Sequence, residues 1–263
     1  MKKKPITILS ILFILIFFVF VNGVAADPSI LISSYEWDPE VFMPGDQGTL
    51  TLTISNAEAT HTVASTTTTG STTTVRTDTS GVFFNKIWIV AAGDGTNDVK
   101  ADQSFSDLIY LAPASSFEIT IPVKAENNIA EGLYFPKVNI DLISYDDVQY
   151  PIPVQISNAT VDLLAAEVPS LISISGSTQV TLSLVNTHEG AVNSLKVTPR
   201  TVDDLTVTPS YQLVDTLTSK SSEEITFSVQ PQSLGAYQLT FDLLYHNGIN
   251  QHTASLTTSF EVV

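Results

Sequence analysis

The chain of 263 residues contains no cysteine. That excludes a disulfide scaffold, thiol catalysis and cysteine-ligated zinc. Positive charge is also scarce, with 11 Lys and Arg against 27 Asp and Glu. A surface this acidic repels nucleic acid and anionic lipid headgroups, so neither is expected as a partner. Catalytic motifs are missing too. There is no G-x-S-x-G elbow, S-x-x-K, H-E-x-x-H or P-loop. A carboxylate pair for sugar hydrolysis needs a deep cleft that small β-sandwiches seldom have, so no enzyme and no organic cofactor are expected. What is present is a hydrophobic fraction of 43% with only 14% charged residues. Disordered chains show the reverse balance, so this one folds.

The first 26 residues stand apart. Lys2, Lys3 and Lys4 precede the apolar run Ile6–Val21, and Val24-Ala25-Ala26 supplies the small residues of a cleavage site. The segment reads as a signal peptide helix removed after Ala26, which places the mature chain outside the cell or in the envelope. The alternative is an uncleaved anchor, the one way this chain would hold a membrane. Without residues 1–26 the chain carries 8 basic and 27 acidic residues, a net of about −19.

After residue 28 apolar residues alternate with polar ones. Leu50, Leu52 and Ile54 share one face, with threonines on the other. Glu118–Val123, Thr178–Val185, Glu224–Val229 and Gln238–Leu243 follow the same rule. This is the period of half-buried antiparallel strands. The chain also repeats itself. Gly48–Asn56 resembles Thr178–Asn186, Ser115–Thr120 resembles Ser221–Thr226, and Glu131–Ile143 resembles Leu234–Leu244. The offset falls from 130 to 106 to 101, and residues 57–80 account for the first drop as an insert. The fold class is therefore all-β, with two tandem Ig-like antiparallel β-sandwich domains, 27–157 and 158–263. The linker at Ser157-Asn158-Ala159 is short, so the domains have limited freedom to reorient. Tyr134 and Tyr237 each follow a glycine by two residues, and both are expected to bond a backbone group across a corner.

Pro39–Asp46 followed by Thr51–Asn56, and the stretch Leu108–Asp147 with its Gly-x-Tyr strand, resemble the tandem repeats of archaeal S-layer-domain-like envelope proteins. The CARDB adhesion modules are similar. The resemblance implies a non-enzymatic, extracytoplasmic structural or adhesion role through contacts with other envelope or S-layer proteins. The alternative is a carbohydrate- or calcium-binding accessory module of an envelope assembly or transporter.

Candidate sites are few. Asp94, Asn97, Asp98 and Asp102 form a polar loop whose oxygens suit calcium, although the spacing is not that of an EF-hand. The plain reading is a solvated turn. Asn158 heads the sequon Asn-Ala-Thr, an N-glycosylation acceptor. If Asn247-Gly248 forms a two-residue turn, Leu243 opposes His252, and His246 and His252 lie on opposite faces, a poor metal pair. Trp37 and Trp88 have apolar neighbours and are expected to be buried; an exposed aromatic row would instead favour sugar binding. The threonine-rich insert, Ala57–Ser80, reads as a loop, as a hairpin projecting to a partner, or as an O-glycosylated tract.

Overall fold

The computed structural model describes residues 29–57, 81–91, 98–101, 103–106, 109–200 and 202–263. Residues 1–28, where a signal peptide is expected, and nearly all of the insert lie outside them. Within them every regular element is a strand, so the chain is all-β, and no helix is long and apolar enough to cross a membrane.

The first sandwich opens with β1 (Ile30–Asp38), β2 (Val41–Phe42), β3 (Gln47–Asn56) and β4 (Val82–Val90). It continues with β5 (Val99–Ala101), β6 (Ile109–Leu111), β7 (Ser116–Ala125) and β8 (Gly132–Tyr134). It closes with β9 (Lys137–Leu142), β10 (Val148–Pro151) and β11 (Val154–Ile156). One sheet has the order β1-β3-β7-β5. Facing it are β10-β9-β4-β6 and, at one end, β2-β11-β8. The alternation in β3 has its expected effect. Leu50, Leu52 and Ile54 are fully buried, while Thr51 on the other face bonds Thr120 of β7 at 3.1 Å.

The second sandwich opens with β12 (Val161–Glu167), β13 (Leu171–Ile172), β14 (Thr178–Asn186) and β15 (Val192–Pro199). Then come β16 (Leu205–Thr208), β17 (Gln212–Leu217), β18 (Ser222–Pro231), β19 (Gly235–Asn247) and β20 (Asn250–Val262). Its sheets run β12-β14-β18-β16 and β13-β20-β19-β15-β17. Val180, Leu182 and Leu184 fill the places of Leu50, Leu52 and Ile54, each buried in its own core.

Prolines explain why the copies differ. β19 and β20 are unbroken strands of 13 residues each. Their counterparts are split into β8 and β9 at Pro136, and into β10 and β11 around Pro153. Proline has no N–H for the ladder, and Pro136 and Pro153 both fall in the gaps between these short strands. The freed carbonyls find other donors. Ile152 N–H donates to Pro136 at 2.9 Å, and Trp37 Nε1–H donates to Pro153 at 2.8 Å.

The tyrosine corners are present in both copies. Tyr134 donates to the Ala130 carbonyl at 2.9 Å, and Tyr237 to the Ser233 carbonyl at 3.2 Å. The hairpin register needs correction. Asn247 pairs with Asn250 and Tyr245 with His252, so the turn residues are Gly248 and Ile249, one position later than expected. Gly248 takes φ +56°, which glycine adopts without strain. His246 and His252 still lie on opposite faces.

Candidate interaction site at the joint between the sandwiches

Met43-Pro44-Gly45-Asp46 makes a tight turn. Asp46 N–H donates to the Met43 carbonyl at 3.0 Å, and Gly45 has φ +89°. Proline followed by a positive-φ glycine is the signature of a type II turn. The turn closes on itself because Met43 N–H donates to Asp46 Oδ2 at 2.9 Å. It projects Met43 into the core of the second sandwich, where its side chain is buried.

Asp46 is only 2% exposed, so its carboxylate needs partners. The second sandwich supplies them. Asn247 Nδ2 donates to Asp46 Oδ2 at 2.7 Å and to the Val41 carbonyl at 2.9 Å. His252 Nε2 lies 3.0 Å from Asp46 Oδ1. Asn250 adds a reciprocal pair. Its Oδ1 accepts from Gln47 N–H at 2.8 Å, and its Nδ2 donates to the Gln47 carbonyl at 2.7 Å. This side-chain amide imitates one rung of a β-ladder between the domains. Gly248 approaches so closely that a Cβ would lie 3.1 Å from both Asp38 Oδ1 and Pro39 Cδ.

The loop after β14 completes the joint. Asn186 is buried, and its Nδ2 faces the carbonyls of Gly190, Leu217 and Thr218 at 3.0, 3.1 and 3.0 Å. Its Oδ1 accepts from His188 N–H at 2.9 Å. His188 is fully buried, and its Nδ1 accepts from Gly190 N–H at 3.1 Å. The ring is therefore neutral with its proton on Nε2. Burial pushes the His188 pKa below its ordinary value, against the opposing pull of the Asp46 and Glu189 charges. Burial also raises the Tyr245 hydroxyl, and its ring stacks on His252 at 5.4 Å. These groups hold the two sandwiches together.

The other candidates fare differently. Asp98 is buried, with Oδ1 accepting from Val99 N–H at 2.8 Å. Asp94, Asn97 and Asp102 lie outside the described residues. Among the described residues no group of three or more His, Asp or Glu side chains is arranged to hold a metal. Asn158 is exposed. Trp37 is buried edge-on to Phe42 at 5.9 Å. Trp88 is half-buried on the outer face of β4, with Lys86 Nζ 5.1 Å from its ring. On the same face Phe83 and Tyr110 are exposed, with centroids 4.9 Å apart. A shallow groove over β15, β19 and β20 is crossed by the Arg200–Asp242 pair, bonded twice at 2.8 Å.

Comparison with known proteins adds little. No family model matches the chain, and no curated protein matches it. Among solved structures it is similar to the ASH/PapD-like domain of human CEP192 (PapD-like domain 7), at 15% identity and a TM-score of 0.29. That match covers 40% of this chain and 86% of the other.

Proposed function

We propose that the chain is a non-enzymatic structural and adhesion module that works outside the cytoplasm, in the cell envelope, through protein–protein contacts with other envelope or S-layer proteins. The joint carries this reading. A buried carboxylate held from both sides by Met43, Asn247 and His252 fixes the orientation of two sandwiches. Surfaces far apart on the chain then keep a set geometry, which a spacer or adhesive element needs and a flexible tether lacks. The export signal and the acidic composition support the location. The test is recovery of the tagged chain from native envelope, with mass spectrometry of its co-purifying proteins and of its N-terminus. Envelope proteins at constant ratio and a start at Asp27 are expected. A chain that stays in the cytoplasm and recovers no envelope protein would overturn the reading, and one that still carries Lys2–Lys4 would be the anchored form.

The exposed Phe83–Tyr110 pair and Trp88 favour a second reading, a carbohydrate-binding accessory module. Flat aromatic faces stack on sugar rings. Titration with envelope polysaccharide, read by Trp88 fluorescence against a Trp88→Ala control, separates the two.

A further inference from the structure

The same segment of the repeat has opposite surroundings in the two sandwiches. In the first, Val41 and Met43 are 7% and 4% exposed, because the second sandwich covers them. In the second, the corresponding end carries Leu171 and Ile174 at 59% and 39% exposed, and Leu234, just before β19 in the same sheet, is 66% exposed. The equivalence is structural. β2 runs parallel to β11 just as β13 runs parallel to β20, and Ile174 N–H donates to the Val263 carbonyl at 3.1 Å. In the first sandwich this end docks the neighbouring sandwich.

We infer that the far end of the second sandwich, centred on Leu171, Ile174 and Leu234, is a docking surface for the hairpin end of a β-sandwich module in another protein, one with lysine or arginine around its contact. Two observations set that chemistry. First, the occupant of the matching surface is known: a hairpin tip and loop, those of Asn247–Asn250 and His188. Second, the polar centre has changed. Gly176 stands where the repeat puts Asp46, and Ser173 where it puts Met43. No buried acid here requires an Asn or His from the partner. The segments that carry the exposed apolar side chains bear exposed acids instead: Glu261 pairs with Leu171, Glu167 ends the strand before it, and Asp204, next to Asp203, accepts from the Ser233 hydroxyl beside Leu234 in sequence. Segments 167–176, 202–208, 231–238 and 258–263 contain no lysine or arginine. A second copy of this chain is a poor fit, because its matching hairpin end carries Asp146 and Asp147 and like charges would meet.

This inference rests on the contact role proposed above. The test uses the absence of native cysteine. Ser173→Cys in the full chain takes one benzophenone label, and Thr257→Cys on the outer sheet face is the control. Each is photolysed in native envelope, and the cross-linked peptides are sequenced. The expected product joins residue 173 to a turn or loop at one end of a β-sandwich domain with basic residues. It should fall at least tenfold with Leu171→Asp/Ile174→Asp and with 0.5 M salt, while the melting temperature of that double variant stays unchanged. A cross-link to a second copy, to a protein of another fold, or at the same yield from residue 257 overturns the inference. If the double variant still recovers every envelope partner, this surface is excluded while the contact role stands. If the unmodified chain recovers none, both fall.

Discussion

His252 Nε2 of the second sandwich lies 3.0 Å from Asp46 Oδ1 of the first. The two residues are 206 positions apart in the chain. Asp46 is almost fully buried and His252 about one-quarter exposed by its side chain, so removal of either has unequal consequences. Asp46→Ala leaves Met43 N–H without its acceptor in a buried place and takes from the Asn247 amide one of its two acceptors, the Val41 carbonyl remaining. That should destabilise the domain pair by about 2–3 kcal/mol. His252→Ala removes a partly solvated partner and should cost about 1 kcal/mol or less. Urea unfolding of both single variants and the double variant measures the coupling. Equal, additive losses would show that the two side chains do not act as a unit.

Gly248 gives an independent way to open the joint. Its φ of +56° and the 3.1 Å approach of Asp38 and Pro39 leave no room for a β-branched side chain. Gly248→Val should lose about 2 kcal/mol, through backbone strain and displacement of the hairpin from the first sandwich. Small-angle scattering should then show a broader distribution of interdomain distances. An unchanged profile would mean that the hairpin tip does not hold the domains together.

The strand framework could be read from the sequence because its cause is local. Alternation along β3, β7, β14 and β18 fixes which face is buried, and the two Gly-x-Tyr corners fall where the repeat puts them. The joint could not be read in the same way. Met43-Pro44-Gly45-Asp46 and Asn247-Gly248 each announce a turn, but no local rule says that one turn docks on the other. Asp46 was one acid among 27. Its role comes from burial, which depends on tertiary placement. The hairpin register failed for a related reason: Asn-Gly favours a turn, but here Asn247 is drawn into the ladder and onto Val41 and Asp46, which moves the turn to Gly248-Ile249.

His188 makes stability depend on pH with a definite sign. Its folded pKa lies below the unfolded one because burial disfavours the cation. As pH falls through the ordinary histidine range, near 6.5, the unfolded chain takes up the proton first. The contribution is therefore complete above that range and is lost on acidification. Melting temperatures from pH 7.5 to 5.5 should fall less in His188→Gln than in the parent, because other titrating groups cancel in the difference. Parallel slopes would place the ring in solvent-like surroundings.

The tyrosine corners should cost similar amounts when removed. Tyr134 and Tyr237 bond carbonyls four residues earlier, Ala130 and Ser233. Tyr134→Phe and Tyr237→Phe keep the ring and delete the donor, so each should lose about 1 kcal/mol. Tyr237 also meets the Ser233 hydroxyl at 2.5 Å, so its loss should be the larger. Chemical denaturation checks the order, and a reversed order would show that the second hydroxyl contact adds nothing.

The insert after β3 is a further difference between the copies, and the second sandwich shows how little chain that connection needs. There Thr187–Ala191 joins β14 to β15. The anchor residues match. Asn186 N–H donates to the Ser221 carbonyl at 2.9 Å, and Asn56 N–H donates to the Ser115 carbonyl at 2.9 Å. The first sandwich therefore already has the frame for a short loop. Residues 57–80 contain only Val63 and Val75 as large apolar side chains, too few for a core of their own. Replacing 57–80 by Thr-His-Glu-Gly-Ala should leave a folded, exported chain whose melting temperature is within a few degrees of the parent, since loop length changes stability slowly. Loops at a sandwich end are common contact surfaces, so recovery of an envelope partner should fall. A replacement chain that does not fold would make the insert structural. One that folds and keeps every partner would move the contact surface away from this end, toward the exposed apolar surface around Leu171.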